Sequence, residues 1–297
     1  MDEAYRLKKA LKVTWIGFGV NVILTILKLL AGILAQSAAM VADALHSLSD
    51  FGSDLVVIFG FKIAGRPIDD NHNYGHGKFE TLATAFIGFL LLFVSVGMLW
   101  SASTRIYGAF HGFPIQQPGI LAFWAAIISI AVKEGVYQYT YRVGERIDSQ
   151  AVIANAWHHR SDALSSLGTL LGIGGAIFLG PKWRFMDPLA ALVVSIMILK
   201  VGFDVLRISL GELLETSVDE EEQKKILQIA AEVPGAINPH ALKTRRIGNK
   251  IAIDLHIKVD KNLNIVEAHD ISTEVEEQLR KEFGHGTFVS VHIEPHL

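Results

Sequence analysis

The sequence predicts an α-helical membrane protein: six transmembrane helices followed by a small α+β domain of order α-β-β-α-β. Three observations carry this. Of the 297 residues, 51% are hydrophobic, and the mean hydropathy is +0.36, too apolar for a soluble chain of this length. Six segments hold the roughly twenty mostly apolar residues that a span needs. After residue 213 those runs stop, and short segments with helix or strand periodicity follow.

The spans fall at 13–35, 38–64, 80–109, 118–141, 149–179 and 188–213. A tight uncharged link, "AQSA", joins the first two. "HGFPIQQPG" separates the third from the fourth and "GPKWRFMDP" the fifth from the sixth. Such Pro/Gly clusters break helices and belong at the surface. Nine basic residues flank the spans on one side: Arg6, Lys8, Lys9, Lys12, Lys62, Arg66, Lys78, Arg142 and Arg146. Three, Arg105, Lys182 and Arg184, flank them on the other. That asymmetry puts both termini in the cytoplasm. The charged start "MDEAYRLKKALK" has no small-residue cleavage site, so no cleaved signal peptide is expected. A net charge of −3 points to no nucleic-acid partner. Cysteine is absent, which excludes disulfides and thiolate metal sites. The twelve histidines remain as soft ligands.

In the C-terminal part, "DEEEQKKILQIAAEVPG" reads as an amphipathic helix with Asp219 as N-cap and a Pro-Gly stop. "HALKTRRIG" and "KIAIDLHIKVD" flank a Gly-Asn turn and read as a hairpin. "VEAHDISTEVEEQLRKEFG" reads as a second helix and "TFVSVHIEP" as a last strand. This gives two domains, a six-span domain over 1–213 and a cytoplasmic domain over 214–297.

The second span contains "DALHSLSDFGSD". Offsets of three, seven and eleven from Asp43 stay near one helical face, so Asp43, His46, Asp50 and Asp54 form a stripe. The stripe rises roughly 16 Å at about 1.5 Å per residue. Each Asp at mid-bilayer costs about 2.5–3.5 kcal/mol, so the face must meet water, a counter-charge or a cation. The fifth span repeats the spacing in "NAWHHRSDALSS", where His158 and Asp162 are i and i+4. Two such faces can gather two imidazoles and two carboxylates around one point. That donor set suits tetrahedral Zn²⁺ and neutralises a divalent charge. The spans are read as carrying no comparable load of Lys or Arg. His46, Asp50, His158 and Asp162 are therefore the candidate intramembrane ligands. Asp43 and Asp54 are left to a vestibule, a partner behind the ligands or an interhelical hydrogen bond. His159 points about 100° away from His158 and is read as a neighbour.

Two further groups stand out. "RPIDDNHNYGHGKFE" spaces Asp69, His72 and His76 by three and four, with glycines that let a loop curl round an ion. The alternative is a solvated polar connector. In the tail, His256 and His292 fall in strands, His269 early in a helix and His240 at a strand entrance, with Glu294 on the face of His292. A small sandwich can bring these together to sense metal. His285 and His296 are read as surface histidines.

With these motifs the chain resembles the cation diffusion facilitator family, and its bacterial zinc/proton antiporter branch in particular. "ADALHSLSD", "DDNHNYGHGK", "HHRSD" and the histidine-bearing tail carry the resemblance. It implies a homodimer in the cell's inner (plasma) membrane and a metallochaperone-like tail. It implies a transport site of His46, Asp50, His158 and Asp162, and a loop site of Asp69, His72 and His76. In the tail it implies a binuclear site drawing on His240, His256, His269 and His292. Many relatives of that branch have Asp in place of His46 and of Glu294. A charge interlock at the dimer interface is also implied, with Lys78 and Glu212 as members. The function expected is efflux of a divalent metal in exchange for protons, Zn²⁺ first, with Fe²⁺, Cd²⁺, Co²⁺ or Mn²⁺ as alternatives. An intramembrane metalloenzyme is the competing class. No His-Glu-x-x-His occurs, and four protein ligands leave no open position for a catalytic water.

Overall fold

The computed structural model describes residues 3–49, 68–147, 150–248 and 250–296. Asp50, Asp54 and the rest of the second predicted span lie outside the described residues. The helices are α1 (Glu3–Leu34), α2 (38–49), α3 (Gly77–Phe110), α4 (Ile120–Arg146), α5 (Gln150–Phe178) and α6 (Met186–Leu213). A 3₁₀ turn at Pro181–Trp183 links α5 to α6. The tail runs α7 (Glu220–Glu232), β1 (Ile237–Ile247), β2 (Lys250–Asp260), α8 (Ile265–Phe283) and β3 (Phe288–His296). Among the described residues, five helices are long and apolar enough to cross a membrane: Lys12–Leu34, Gly77–Phe110, Ile120–Arg146, Asn155–Phe178 and Pro181–Leu213. Helix α1 begins ten residues before its predicted apolar run, because the charged leading segment continues the same helix.

The described parts of Met1–Leu55 and Ile87–Asp204 form one compact unit, and those of Val56–Phe86 and Val205–Leu297 form the other. In the first unit the core is built from small side chains. Ala31, Ala35, Ala39, Ala122, Ala125 and Ala126 are buried together with Met40 and Ile173. Small residues let helices approach closely where lipid removes the hydrophobic drive to associate. The outward faces are apolar: Leu34, Phe93 and Trp100 are each more than 70% exposed. That is the surface a hydrocarbon solvent requires.

The second unit is a three-stranded sheet of order β1-β2-β3, with β1 and β2 antiparallel and β2 and β3 parallel. The alternation in β2 sends Ile251, Ile253, Leu255, Ile257 and Val259 to one face, against Ile226 and Ala230 of α7 and Ala268, Val275 and Leu279 of α8. Asp254, His256 and Lys258 fall on the other face by the period of two. The Asp219 carboxylate accepts the Glu222 N–H at 2.8 Å and caps α7 as the sequence predicts. Helix α8 carries a full capping box of Asn264 and Glu267, which the sequence reading did not identify.

The division into units runs through α3 and α6. The start of α3 and the end of α6 make polar contacts with the tail hairpin. The Glu212 carboxylate accepts from the Thr81 hydroxyl and the Gly248 N–H, both at 2.7 Å. Gly77 lies so close to β1 that an added Cβ would sit 2.6 Å from the Ile247 carbonyl. Within the chain Lys78 pairs with Glu215 at 3.1 Å, while Glu212 is engaged by the Thr81 and Gly248 donors. The Lys78 hydrogen bond and charge, with the Arg245 charge, hold the Glu215 carboxyl below its ordinary range.

Candidate metal sites

Helix α2 carries His46, and α5 carries His158 and Asp162; their surroundings differ from the sequence expectation in one respect. The spans do carry buried cations. Lys28 of α1 is fully buried and Lys133 of α4 is 3% exposed. Both were missed because they sit on helices other than those bearing the His-x-x-x-Asp motifs, and only folding brings them alongside. Lys28 Nζ lies 2.7 Å from Asp43 Oδ2 and donates to the Ser47 and Ser166 hydroxyls at 3.2 Å each. Ser166 donates in turn to Asp43 at 3.0 Å. Asp43 is thereby placed: of the three roles left open, it makes the interhelical bond, tying α1, α2 and α5.

Asp162 is 7% exposed, and its Oδ2 accepts from Lys133 Nζ at 3.1 Å. The His158 Nε2 stands 4.0 Å from the same oxygen, with about half of its side chain exposed. His46 is half-buried, and its Nδ1 is buried without a hydrogen-bond partner among the described residues. His159 turns inward, as its 100° offset from His158 requires, and is 4% exposed with both ring nitrogens unpartnered among the described residues. It fills a notch at Gly17, where a Cβ would lie 2.9 Å from its Nε2. His46, His158 and Asp162 do not meet around one point in this arrangement, in which Asp162 is held by Lys133. Asp50 lies outside the described residues.

In the loop, one ligand atom each from Asp69, His72 and His76 lies within 4.8 Å of the others. Asp69 Oδ1 accepts the backbone N–H of Asn71 and of His72, the Asx turn that curls the chain. The His72 Nδ1 is 3.1 Å from Oδ1, and the His76 Nε2 is 3.3 Å from Oδ2. His76 is 6% exposed and stacks on Phe79. Gly75 supplies the turn between the histidines at φ +79°. Desolvation pushes the Asp69 carboxyl up, but the hydrogen bonds from His72 and Asn71 outweigh it and hold the carboxyl below its ordinary range.

In the tail, register aligns three histidines. His240 faces His256 across the antiparallel pair, and His256 faces His292 across the parallel pair. Strand β1 begins three residues earlier than predicted and is irregular on both sides of His240, with positive φ at Asn238 and Ala241. An edge strand tolerates Pro239 and these bulges, and bulges re-aim side chains. Glu294 bridges two rings: Oε1 lies 3.0 Å from His256 Nδ1 and Oε2 3.2 Å from His240 Nε2. The His240 Nδ1 faces the Asn238 carbonyl at 2.9 Å, where only an N–H satisfies the contact. Its Nε2 therefore points at a carboxylate, a pair of acceptors that a proton or a metal ion between them completes. A hydrogen bond from His256 holds the Glu294 carboxyl below its ordinary range, and the three histidine charges reinforce this against desolvation.

His292 lies beside His256, with ring centroids 4.6 Å apart, but outside the group of His240, His256 and Glu294 whose ligand atoms fall within 4.8 Å. The structure does not bring His269 to these residues. It is exposed on α8, which packs on the opposite face of the sheet, and its Nδ1 is 3.4 Å from the Thr273 hydroxyl. His285 and His296 are exposed.

Residues 14–214 match the cation efflux transmembrane domain, and residues 218–296 match the cytoplasmic domain of cation efflux proteins. The chain belongs to the cation efflux family. These are the cation diffusion facilitators, membrane transporters of metal cations and not enzymes. The chain is 38% identical to metal tolerance protein C1 of Arabidopsis thaliana over 96% of its own length and 62% of that protein's. It is 30% identical to the manganese efflux system protein MneS of Bacillus subtilis over 99% of both. The solved metal-bound C-terminal domain of the CzcD transporter from Thermotoga maritima matches with 26% identity over 26% of this chain and 94% of that one, at a TM-score of 0.24.

Proposed function

We propose that this protein exports a divalent metal cation from the cytoplasm in exchange for protons, with Zn²⁺ as its principal substrate. The observation that carries the reading is the His-x-x-x-Asp spacing that recurs in the sequence at His46/Asp50 and at His158/Asp162, with His46 on α2 and the second pair on α5 of a helical membrane domain. His46, Asp50, His158 and Asp162 supply two nitrogens and two oxygens, the donor set that suits tetrahedral zinc. Metal enters from the cytoplasm, the spans rock, and the site opens outward. Ligands must be deprotonated to hold metal, so protons from the far side compete it off. Histidine titrates near neutrality and suits that exchange. A relative named for manganese efflux, matched over its full length, favours Mn²⁺ as a second reading.

Asp69, His72 and His76 hold a further ion at the cytoplasmic loop. His240, His256, His292 and Glu294 hold metal in the tail, with His269 in the same regulatory domain, and that metal draws two tails together in a homodimer and biases the rocking. The transport domain is 1–213 and the regulatory domain 214–297. The Lys/Arg asymmetry supports cytoplasmic termini in the plasma (inner) membrane. Metal-dependent proton flux in liposomes tests the reading, with Zn²⁺ and Mn²⁺ compared on the purified protein. Asp50→Ala and Asp162→Ala are expected to abolish the flux while leaving folding intact. Normal flux in either variant removes that residue from the transport site.

A further inference from the structure

We propose that Lys133 is a built-in counter-cation for the transport site, holding the Asp162 carboxylate whenever metal is absent and giving it up when metal binds. The proposal rests on the reading of Asp162 as a transport ligand, and it concerns how the empty site returns across the membrane.

Lys133 is the central residue of the 27-residue helix α4, Ile120–Arg146. Thirteen residues separate it from either end, about 20 Å at ~1.5 Å per residue. A lysine near a helix end can snorkel to the interface, but one at the centre cannot. Its place in the buried stripe of α4, with Ala126, Ser129, Tyr137 and Thr140, faces it into the bundle. Its partner there is Asp162 at 3.1 Å, with 4% and 9% of the two side chains exposed.

The contested atom is Asp162 Oδ2. The ammonium lies 3.1 Å from it and the His158 Nε2 lies 4.0 Å from it. A zinc ion held by His158 and Asp162 sits about 2.0–2.2 Å from its ligand atoms. Two cations on one oxygen at such distances repel strongly in a low-dielectric interior. Metal and ammonium therefore alternate on Asp162. This gives the exporter two things. The carboxylate is not left bare in the bundle after metal departs, so the empty site recloses with its charge matched by the ammonium. The displaced ammonium also stays on its tether near the metal and weakens its hold, which favours release.

Lys133 acts through Asp162, so it is a positioning residue, and its test must separate the two halves of the cycle. Full-length protein is reconstituted in liposomes. Net Zn²⁺ transport under a pH gradient requires return of the empty site. Exchange of radioactive for cold zinc at equal concentrations does not. In Lys133→Met the ratio of net transport to exchange is expected to fall about tenfold, equivalent to about 1.4 kcal/mol on the return step. Lys133→Arg, which keeps the charge, is expected to restore the ratio. Lys133→Gln keeps a donor without the charge and replaces the Met variant if that does not insert. Net transport and exchange falling in proportion, or an unchanged ratio, overturns the proposal. Asp162→Asn run alongside keeps the two readings apart. Undiminished exchange in that variant shows that Asp162 is not a transport ligand, whatever the Lys133 variants do.

Discussion

Lys28 and Asp43 show what a single buried charge costs and what makes it tolerable. The ammonium is fully buried and satisfied by one carboxylate and two hydroxyls from two other helices. Removing one member of such a pair leaves an uncompensated charge, a loss of about 3–5 kcal/mol, whereas replacing both by apolar groups is often neutral. Lys28→Met is therefore expected to destabilise the protein by about that amount. Lys28→Met with Asp43→Leu is expected to recover most of it. Denaturant unfolding in detergent of the two single variants and the double variant measures the coupling. Additive losses would mean that the pair does not act as a unit. Asp43 thus ties α1, α2 and α5 together three residues before His46 on the same helix.

At the scale of the element, strand β1 decides whether the tail histidines align. A regular strand reverses faces at every residue, and a one-residue slip turns His240 away from His256. The irregular register between Ile237 and Lys243 sets the phase. Ala241 adopts φ +50° there, a conformation that strains any residue with a Cβ. Ala241→Gly is expected to stabilise the protein by about 1 kcal/mol, since the left-handed conformation then carries no side-chain clash. Ala241→Val is expected to destabilise it by more, and thermal unfolding reads both. Equal stability of all three would mean that the bulge is not held under strain.

Across the whole molecule, the cation efflux family joins a transmembrane domain to a cytoplasmic one, and the two His/carboxylate clusters found among the described residues, Asp69/His72/His76 and His240/His256/Glu294, both belong to the second compact unit. Loss of the tail cluster is expected to leave transport possible but to change its dependence on metal. His240→Ala with His256→Ala in the full-length chain is expected to lower the zinc bound per chain. It is also expected to raise the zinc needed for half-maximal transport without abolishing transport. Elemental analysis of the purified protein and a liposome titration measure the two effects. Unchanged zinc content would remove the tail cluster from the metal sites.

The sequence by itself determined the architecture and most of the ligand candidates. Apolar runs of span length, Pro/Gly breaks and the change of periodicity after residue 213 are local signals. The helix cap at Asp219, the α-β-β-α-β order and the spacing within Asp69, His72 and His76 are legible in the same way, since each depends on residues close in the chain. The contacts between distant residues were decided only by tertiary structure. Lys28 reaches Asp43 and Ser166, and Lys133 reaches Asp162, across helices whose rotation about their axes no local pattern states. The bulges of β1 set the phase of His240, and the placement of α8 on the opposite face separates His269 from the histidine row. The physical reason is one of range. Periodicity and turn chemistry act within a few residues, whereas a buried charge finds its partner only when packing brings the two together and excludes the water that would otherwise serve.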